Sequence, residues 1–325
     1  MATLKDISEK AGVSITTVSR VLNNRGAISE KTKARVHKIM KEMNYSPNEM
    51  ARSLSRRKSH LIGLIVPFTG HPFFSKLTDA IAESCYKIGY KLILCTSNGY
   101  EDREKELFSM LVANNVAGVL VCTRLSDASI YEGAKIPIVS IERTIENVPS
   151  VSCDNYRGGI LAVRELIGCG CKHMLLFGNL VFDYLPAHLR YQGFMDECRR
   201  NGLEYLTHYI EPENLFGTNL KQRVLSLLDE HPNIDGIFAT GDVLAARIIN
   251  ILRETRHSAK DIRIIGFDGI DISEYLDIST IAQPIQQMGE LAVEVLIKRM
   301  ENALVPERSI LPTSLIRRSS TQRVP

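Results

Sequence analysis

The chain has 325 residues, 44% hydrophobic and 24% charged, with 40 Lys and Arg against 37 Asp and Glu and a net charge of +3. That is long enough for a sizeable core and too long for one typical domain, so a small head on a larger, two-lobed body is the natural partition. No run of about 18 apolar residues argues for a membrane span, and the N-terminus lacks a basic start followed by an apolar stretch, which points to a cytoplasmic rather than a secreted protein.

The stretch from Ala2 to Asn24 reads as two short helices joined by a glycine turn. Thr3 is a good N-cap, Leu4, Ile7 and Ala11 recur on one face, and Gly12 can take the left-handed conformation of the turn. Ser14 caps the second helix. Its Val18, Val21 and Leu22 form a buried face, leaving Ile15, Thr16, Thr17, Ser19 and Arg20 on or near the outer one. A third helix, Ser29 to Asn44, completes a small core with Val36, Ile39, Met40 and Met43. Helix pairs of this kind occur in many bundles, so the pattern alone does not decide. Charge does: residues 1–60 hold 13 Lys and Arg against 5 acids, a net of +8, while the remaining residues carry −5. A basic head on a mildly acidic body fits a protein that neutralises phosphates with one end only.

Next comes YSPNEMARSLSRRKS, where Ser46 can cap, Pro47 can take the first helical position and Asn48 to Ser55 make only about two turns. A helix so short is expected to order only on DNA, with Ala51 and Leu54 on one face and Arg52, Arg56, Arg57 and Lys58 beside phosphates. A charged linker between domains is the alternative.

From Leu61 the pattern changes to apolar strands alternating with helices. LIGLIVP, KLILCT, AGVLVC and IPIVSI read as strands, with helices at Pro72–Ile88 and Glu101–Asn115. HMLLFG, DGIFAT and RIIGF follow, with helices near Tyr156–Cys169, Leu189–Asn201, Asn219–Glu230 and Val243–Glu254. Two such series predict two parallel sheets, each covered on both faces. The seven cysteines include no CxxC pair and read as reduced thiols; Cys169 and Cys171 make a poor zinc site without further ligands. No phosphate-binding, dinucleotide or hydrolase motif is present, so no cofactor, metal or catalytic residue is expected.

Open parallel sheets bind ligands at the carboxyl ends of their strands. Those ends carry Phe68, Thr69, His71, Phe73, Phe74, Ser97, Asn98, Glu142 and Arg143 in the first series, and Asn179, Gly241, Asp242 and Asp268 in the second. Aromatic faces with carboxylates, hydroxyls and amides suit a sugar, with Asp268, Asp242 and Arg190 forking hydrogen bonds to vicinal hydroxyls.

The motifs TLKDISEKAGVSITTVSRVLN, HPFF at His71–Phe74, DNYRGG at Asp154–Gly159, RYQGF at Arg190–Phe194, IIGFDG at Ile264–Gly269 and QPIQQMGELAVEVL at Gln283–Leu296 together resemble the lactose-repressor (LacI/GalR) family over nearly the whole chain. The resemblance implies an all-α helix-turn-helix DNA-binding head over residues 1–46 and a hinge helix or linker over 47–58. It further implies an α/β bilobed, periplasmic-binding-protein-like body over 59–325. The first lobe would comprise about 59–156 and 286–318, the helix Gln286–Asn302 and the segment SILPTSLIRRSS returning to it, and the second about 157–285. The DNA-contacting set it implies is Thr3, Leu4, Ser14, Ile15, Thr16, Thr17, Ser19, Arg20, Asn23, Tyr45, Asn48, Ala51 and Leu54, with Leu54 as a minor-groove wedge. The effector set is His71, Phe73, Phe74, Glu142, Arg143, Arg190, Gly241, Asp242, Asp268 and Gln283. Phe73 and Phe74 would flank the effector and Arg190 and Asp268 would anchor it. Glu142 stands where many members have Asp, and Gly241 where an amide or hydroxyl side chain is common.

The function expected is repression of sugar-utilisation genes at a pseudo-palindromic operator, as a homodimer or tetramer. A sugar or sugar phosphate, of the sucrose or fructoside type, would relieve it. A co-repressor mode with a purine or phosphorylated metabolite is the alternative within regulation. A solute-binding protein or a cytosolic sugar enzyme are the alternatives outside it.

Overall fold

Three short helices account for the described part of the first unit of the chain, Met1–Ser59, and two wound sheets for the second, His60–Pro325. The structure is a computed structural model that describes residues 3–22, 26–45, 59–179, 182–210, 219–255 and 262–322. The hinge segment, with Asn48, Ala51 and Leu54, lies outside the described residues, as does Asn23.

In the first unit, α1 (Leu4–Ala11) begins with a reciprocal cap: the Asp6 amide donates to Thr3 Oγ1 at 3.3 Å and the Thr3 amide to Asp6 Oδ2 at 2.7 Å. Gly12 ends it at φ +61°, a left-handed value that makes the tight turn into α2 (Ile15–Leu22). Ser14 Oγ caps α2 and Ser29 Oγ caps α3 (Glu30–Glu42) by accepting the amides of Thr17 and Thr32. Ile7, Ala11, Val18, Val21, Val36, Ile39 and Met40 form the core where the three helices meet.

The second unit runs β1 (Leu61–Val66), α4 (Pro72–Lys87), β2 (Lys91–Thr96), α5 (Glu101–Ala113), β3 (Gly118–Val121), β4 (Ile138–Ile141) and β5 (Ser150–Cys153). It continues with α6 (Asn155–Gly168), β6 (His173–Asn179), α7 (Leu189–Arg200), β7 (Glu204–Ile210), α8 (Asn219–Glu230), β8 (Gly236–Ala239), α9 (Asp242–Arg253), β9 (Arg263–Asp268), α10 (Asp271–Tyr275) and β10 (Ser279–Ala282). It closes with α11 (Ile285–Met300), β11 (Arg308–Leu311) and β12 (Ser314–Ile316). One sheet has the order β11-β5-β4-β3-β1-β2 and the other β12-β10-β9-β8-β6-β7. All pairings are parallel except β12 against β10.

The chain therefore passes between lobes three times, at Cys153–Asn155, Ala282–Ile285 and Leu311–Ser314. The last crossing corrects the sequence reading, which kept everything through residue 318 in the first lobe. Only β11 joins the first sheet; Ile316 pairs with Thr280 in the second, and Ser320 Oγ donates to the Ile264 carbonyl at 2.6 Å. The turn at Pro312–Thr313 lies at the first crossing, where Thr313 Oγ1 donates to the Asp154 carbonyl at 3.3 Å.

The second lobe closes around an unusually near approach of α6 to α7. A Cβ on Gly159 would meet the Arg190 carbonyl oxygen at 2.1 Å, and one on Gly193 would meet the Tyr156 carbonyl oxygen at 2.1 Å. The glycines of DNYRGG and RYQGF are thus packing residues, and they bring the first turns of the two helices together.

Candidate functional site

Asn155 begins α6 and Arg190 lies in the first turn of α7, so the glycine contact sets them side by side. Arg190 Nε and Nη2 both donate to Asn155 Oδ1, at 3.0 and 2.6 Å, and Nη1 donates to the Thr240 carbonyl at 2.8 Å. The guanidinium carbon lies 3.6 Å from the centre of the Phe267 ring, and Nη1 is 3.9 Å from Asp268 Oδ1. Stacking and a fixed fork hold a buried cation that a lysine could not replace.

Asn155 is in turn held from the first lobe. Its Nδ2 donates to Glu142 Oε2 at 3.1 Å, while Glu142 Oε1 accepts the Cys153 amide at 2.7 Å. On the far side, Gln283 Nε2 donates to Asp268 Oδ1 at 2.7 Å and the Gln283 amide to the Asp268 carbonyl at 3.1 Å. Glu142–Asn155–Arg190–Asp268–Gln283 is therefore one polar network crossing two of the three interlobe connections. Two of its members sit at positive φ without being glycine, Glu142 at +53° and Asp268 at +113°. Backbone strain of this kind persists where the surroundings fix it, and here it aims two carboxylates off strand ends.

The network leaves acceptors unspent. Gln283 Oε1 has no partner among the described residues, and no hydrogen bond there engages Asp268 Oδ2. A Cβ at Gly241 would lie 3.5 Å from that oxygen, so glycine leaves it open. Burial raises the Asp268 pKa, and the neighbouring Arg190, His71 and Gln283 oppose the rise.

The sequence-derived set does not act as one. Asp242, expected to fork to a ligand, is fully buried: Oδ1 accepts the Thr280 hydroxyl at 2.6 Å and Oδ2 the Ile270 amide at 2.9 Å. It holds the turn after β9 that carries Asp268. Burial, with the Asp268 carboxylate beside it, pushes its pKa up to about 8. Arg143 likewise turns away from ligand chemistry. Its Nη1 donates to the Tyr184 carbonyl at 2.8 Å, its Nη2 to the Leu125 and Ser126 carbonyls at 3.0 and 3.2 Å, and it stacks on the Tyr184 ring. It clasps a second-lobe loop to the first lobe. Phe73 and Phe74 are each 5% exposed and meet edge to face at 5.1 Å, so they are chiefly core. His71 caps α4, its Nδ1 accepting the Phe73 amide at 3.3 Å, and burial lowers its pKa.

Sequence reasoning missed Asn155, although it stands inside the quoted motif DNYRGG. It also missed Arg124, just past the end of β3, although the strand-end rule that points to Glu142 applies equally to the run AGVLVC before it.

In the head, Ile15 is 47% exposed, and Thr16 and Arg20 are exposed beside it on α2. Thr3 and Ser14 spend their hydroxyls on caps, and Thr17 Oγ1 bonds Ser14 Oγ at 2.9 Å. Ser19 is half-buried, and Leu4 and Tyr45 pack against the small core. An exposed N-terminal half of the second helix is the part of such a head that fits the major groove.

A helix-turn-helix head joined to two parallel-sheet lobes linked three times defines a regulator built on a ligand-binding body. Residues 3–48 match the family of bacterial regulatory proteins, lacI family, and residues 163–321 match the periplasmic binding protein-like domain. The chain is 35% identical over 320 residues to the sucrose operon repressor of Streptococcus mutans, covering 97% of this chain and 98% of that one. It is 35% identical over 332 residues to the ribose operon repressor of Bacillus subtilis, covering 99% of each. It also resembles a crystal structure of the lac repressor dimer bound to operator and an anti-inducer, with a TM-score of 0.86, 25% identity and coverage of 98% and 99%. The chain belongs to the lacI family of bacterial regulatory proteins. This is a family of transcriptional repressors, not of enzymes.

Proposed function

We propose that the chain represses a sugar-utilisation operon in the cytoplasm, binding a pseudo-palindromic operator as a homodimer and leaving it when a small sugar closes the two lobes. The polar network from Glu142 to Gln283 carries this reading: it is satisfied internally except for acceptors of the kind that sugar hydroxyls donate to. Arg190, Asp268 and Gln283 hold the sugar; His71, Phe73 and Phe74 bound it on the first lobe; Glu142, Arg143, Gly241 and Asp242 shape the site. Ile15, Thr16 and Arg20 read base edges and phosphates, with Thr3, Leu4, Ser14, Thr17, Ser19, Asn23 and Tyr45 positioning the head and Asn48, Ala51 and Leu54 completing the contact from the hinge. The names of the relatives support sucrose, its fructose half, or ribose as the sugars to test.

A gel shift on a selected half-site pair, titrated with sucrose, fructose and ribose, tests the whole reading. One of these, or a phosphomonoester of one of them added in the same titration, is expected to free the operator. Exchanging Ile15 and Thr16 together is expected to change the preferred half-site, at about 1 to 3 kcal/mol per lost contact. The same preferred half-site before and after that exchange rejects the assignment of α2.

A further inference from the structure

Three arginines approach the cleft, and two of them are held by hydrogen bonds through their Nη groups. Arg143 has three carbonyls and Arg190 has Asn155 and the Thr240 carbonyl. Arg124 extends over the Phe74 ring, with 5.7 Å from its guanidinium carbon to the ring centre, and has no side-chain hydrogen bond or ion pair among the described residues. It is only partly exposed, so its charge is desolvated without a counter-ion in contact.

The cleft's negative groups are engaged apart from Asp268 Oδ2. Both Glu142 oxygens accept N–H groups, Asp268 Oδ1 accepts from Gln283, and Asp242 is sealed beneath the β9 turn. The His71 ring lies 5.9 Å from the Phe74 ring that Arg124 covers, and besides burial Arg124 and Arg190 lower its pKa while the Asp268 carboxylate raises it, so charges of both lobes are felt there. His71 adds a donor, because its Nδ1 already accepts the Phe73 amide and the neutral ring keeps its proton on Nε2.

An unspent guanidinium fork and an imidazole donor on one wall, opposite hydroxyl acceptors on the other, describe a ligand with two unlike ends. We propose that the effector is a phosphorylated sugar, its phosphate held by Arg124 and its hydroxyls by Asp268 and Gln283. The proposal rests on the reading of the cleft as a sugar site. A phosphomonoester brings the charge and the planar pair of oxygens that a guanidinium matches in two hydrogen bonds. A neutral sugar would offer the Arg124 fork no anion in contact, leaving its charge to the Glu142 and Asp268 carboxylates acting from farther off.

The test is calorimetric titration of the full-length protein with fructose and ribose, their phosphomonoesters, a sugar carboxylate and inorganic phosphate. At least one phosphomonoester is expected to bind about 30-fold tighter than its parent sugar. That ratio is expected to fall below about threefold in Arg124→Gln, to survive in part in Arg124→Lys and to persist in Arg103→Gln, which removes an exposed charge on α5. In the wild type, salt should weaken the phosphomonoester and leave the parent sugar unaffected, a readout independent of how the variants fold. A parent sugar binding as tightly as its phosphomonoester, a sugar carboxylate binding tighter than any of them, or a ratio unmoved by Arg124→Gln overturns the inference. A neutral sugar that frees the operator alone overturns it while the function proposed above stands; a protein that binds neither this panel nor sucrose overturns both.

Discussion

The two walls of the cleft are finished differently. On the second lobe Arg190 and Asp268 are fixed by Asn155, the Thr240 carbonyl, the Phe267 ring and Gln283. On the first lobe two phenylalanines are packed into the core, Glu142 is held by the Cys153 amide and Asn155, and the remaining polarity comes from His71 and Arg124. On the function proposed here, the second lobe can discriminate among hydroxyl patterns because its groups are oriented before a ligand arrives, so little ordering has to be spent on binding. The first lobe is less constrained and contributes packing and charge.

The largest contrast lies within the second lobe, between two neighbouring carboxylates. Asp242→Ala strands the Thr280 hydroxyl and the Ile270 amide in the interior and is expected to cost about 3 to 5 kcal/mol of stability in a urea titration. Asp242→Asn can keep both contacts and should cost far less. The pH dependence separates them further. Because burial and Asp268 push Asp242 up to about 8, the folded protein keeps a proton that an unfolded aspartate loses above about 4. The contribution of this group is therefore complete below about 4 and is lost as pH rises towards 8. Asp242→Asn should flatten that fall; an unchanged slope would show that another group sets it.

Arg190→Ala and Asp268→Ala should act on the ligand instead, at about 2 to 4 kcal/mol of effector binding. A ligand moves DNA affinity only by as much as its affinity differs between the operator-competent and incompetent states. Both variants are thus expected to stay on the operator at inducer concentrations that free the wild type. Variants that lose operator binding outright would reassign these residues to the fold, and variants that bind poorly because effector no longer helps would make the ligand a co-repressor.

Much of this architecture was legible in the sequence. Runs such as LIGLIVP and HMLLFG are apolar throughout because parallel strands are covered on both faces, and the body helices expected from the sequence begin within a residue of their expected starts, while the one-turn α10 went unread. The strands that escaped are SVSC, EYLTHYI and STIA, with RSIL and SLI read only as a returning segment: short, polar or half-exposed, with no periodicity to separate them from loops. Strand-end logic located Asp268, Glu142 and Arg143 but could not say which way each points. Asp242 and Asp268 look alike as residues after apolar runs; only the Thr280 hydroxyl and the Ile270 amide, 38 and 28 residues along the chain, make one of them structural. Arg143 reads as a ligand group until the Tyr184 carbonyl, 41 residues away, is brought to it.

The smallest effects are expected at the contacts that bridge the walls, and the bridges differ in burial. Arg143 is 4% exposed and bonds carbonyls of both lobes, whereas Lys76 of α4 meets Asp271 of α10 at 2.5 Å with side chains 37% and 56% exposed. Removing Arg143 uncovers carbonyls that a closed cleft would bury, so Arg143→Ala should weaken effector binding by about 1 to 2 kcal/mol if closure is what the ligand stabilises. The Lys76–Asp271 pair gains little in high dielectric and gives up side-chain freedom to form. A double-mutant cycle with Lys76→Ala and Asp271→Ala, read as effector affinity, should give a coupling below about 0.5 kcal/mol that fades with added salt. A coupling well above that, or one insensitive to salt, would mean that the exposed bridge rather than the buried one governs closure, and the difference drawn between the two walls would then lie in the surface rim and not in the network beneath it.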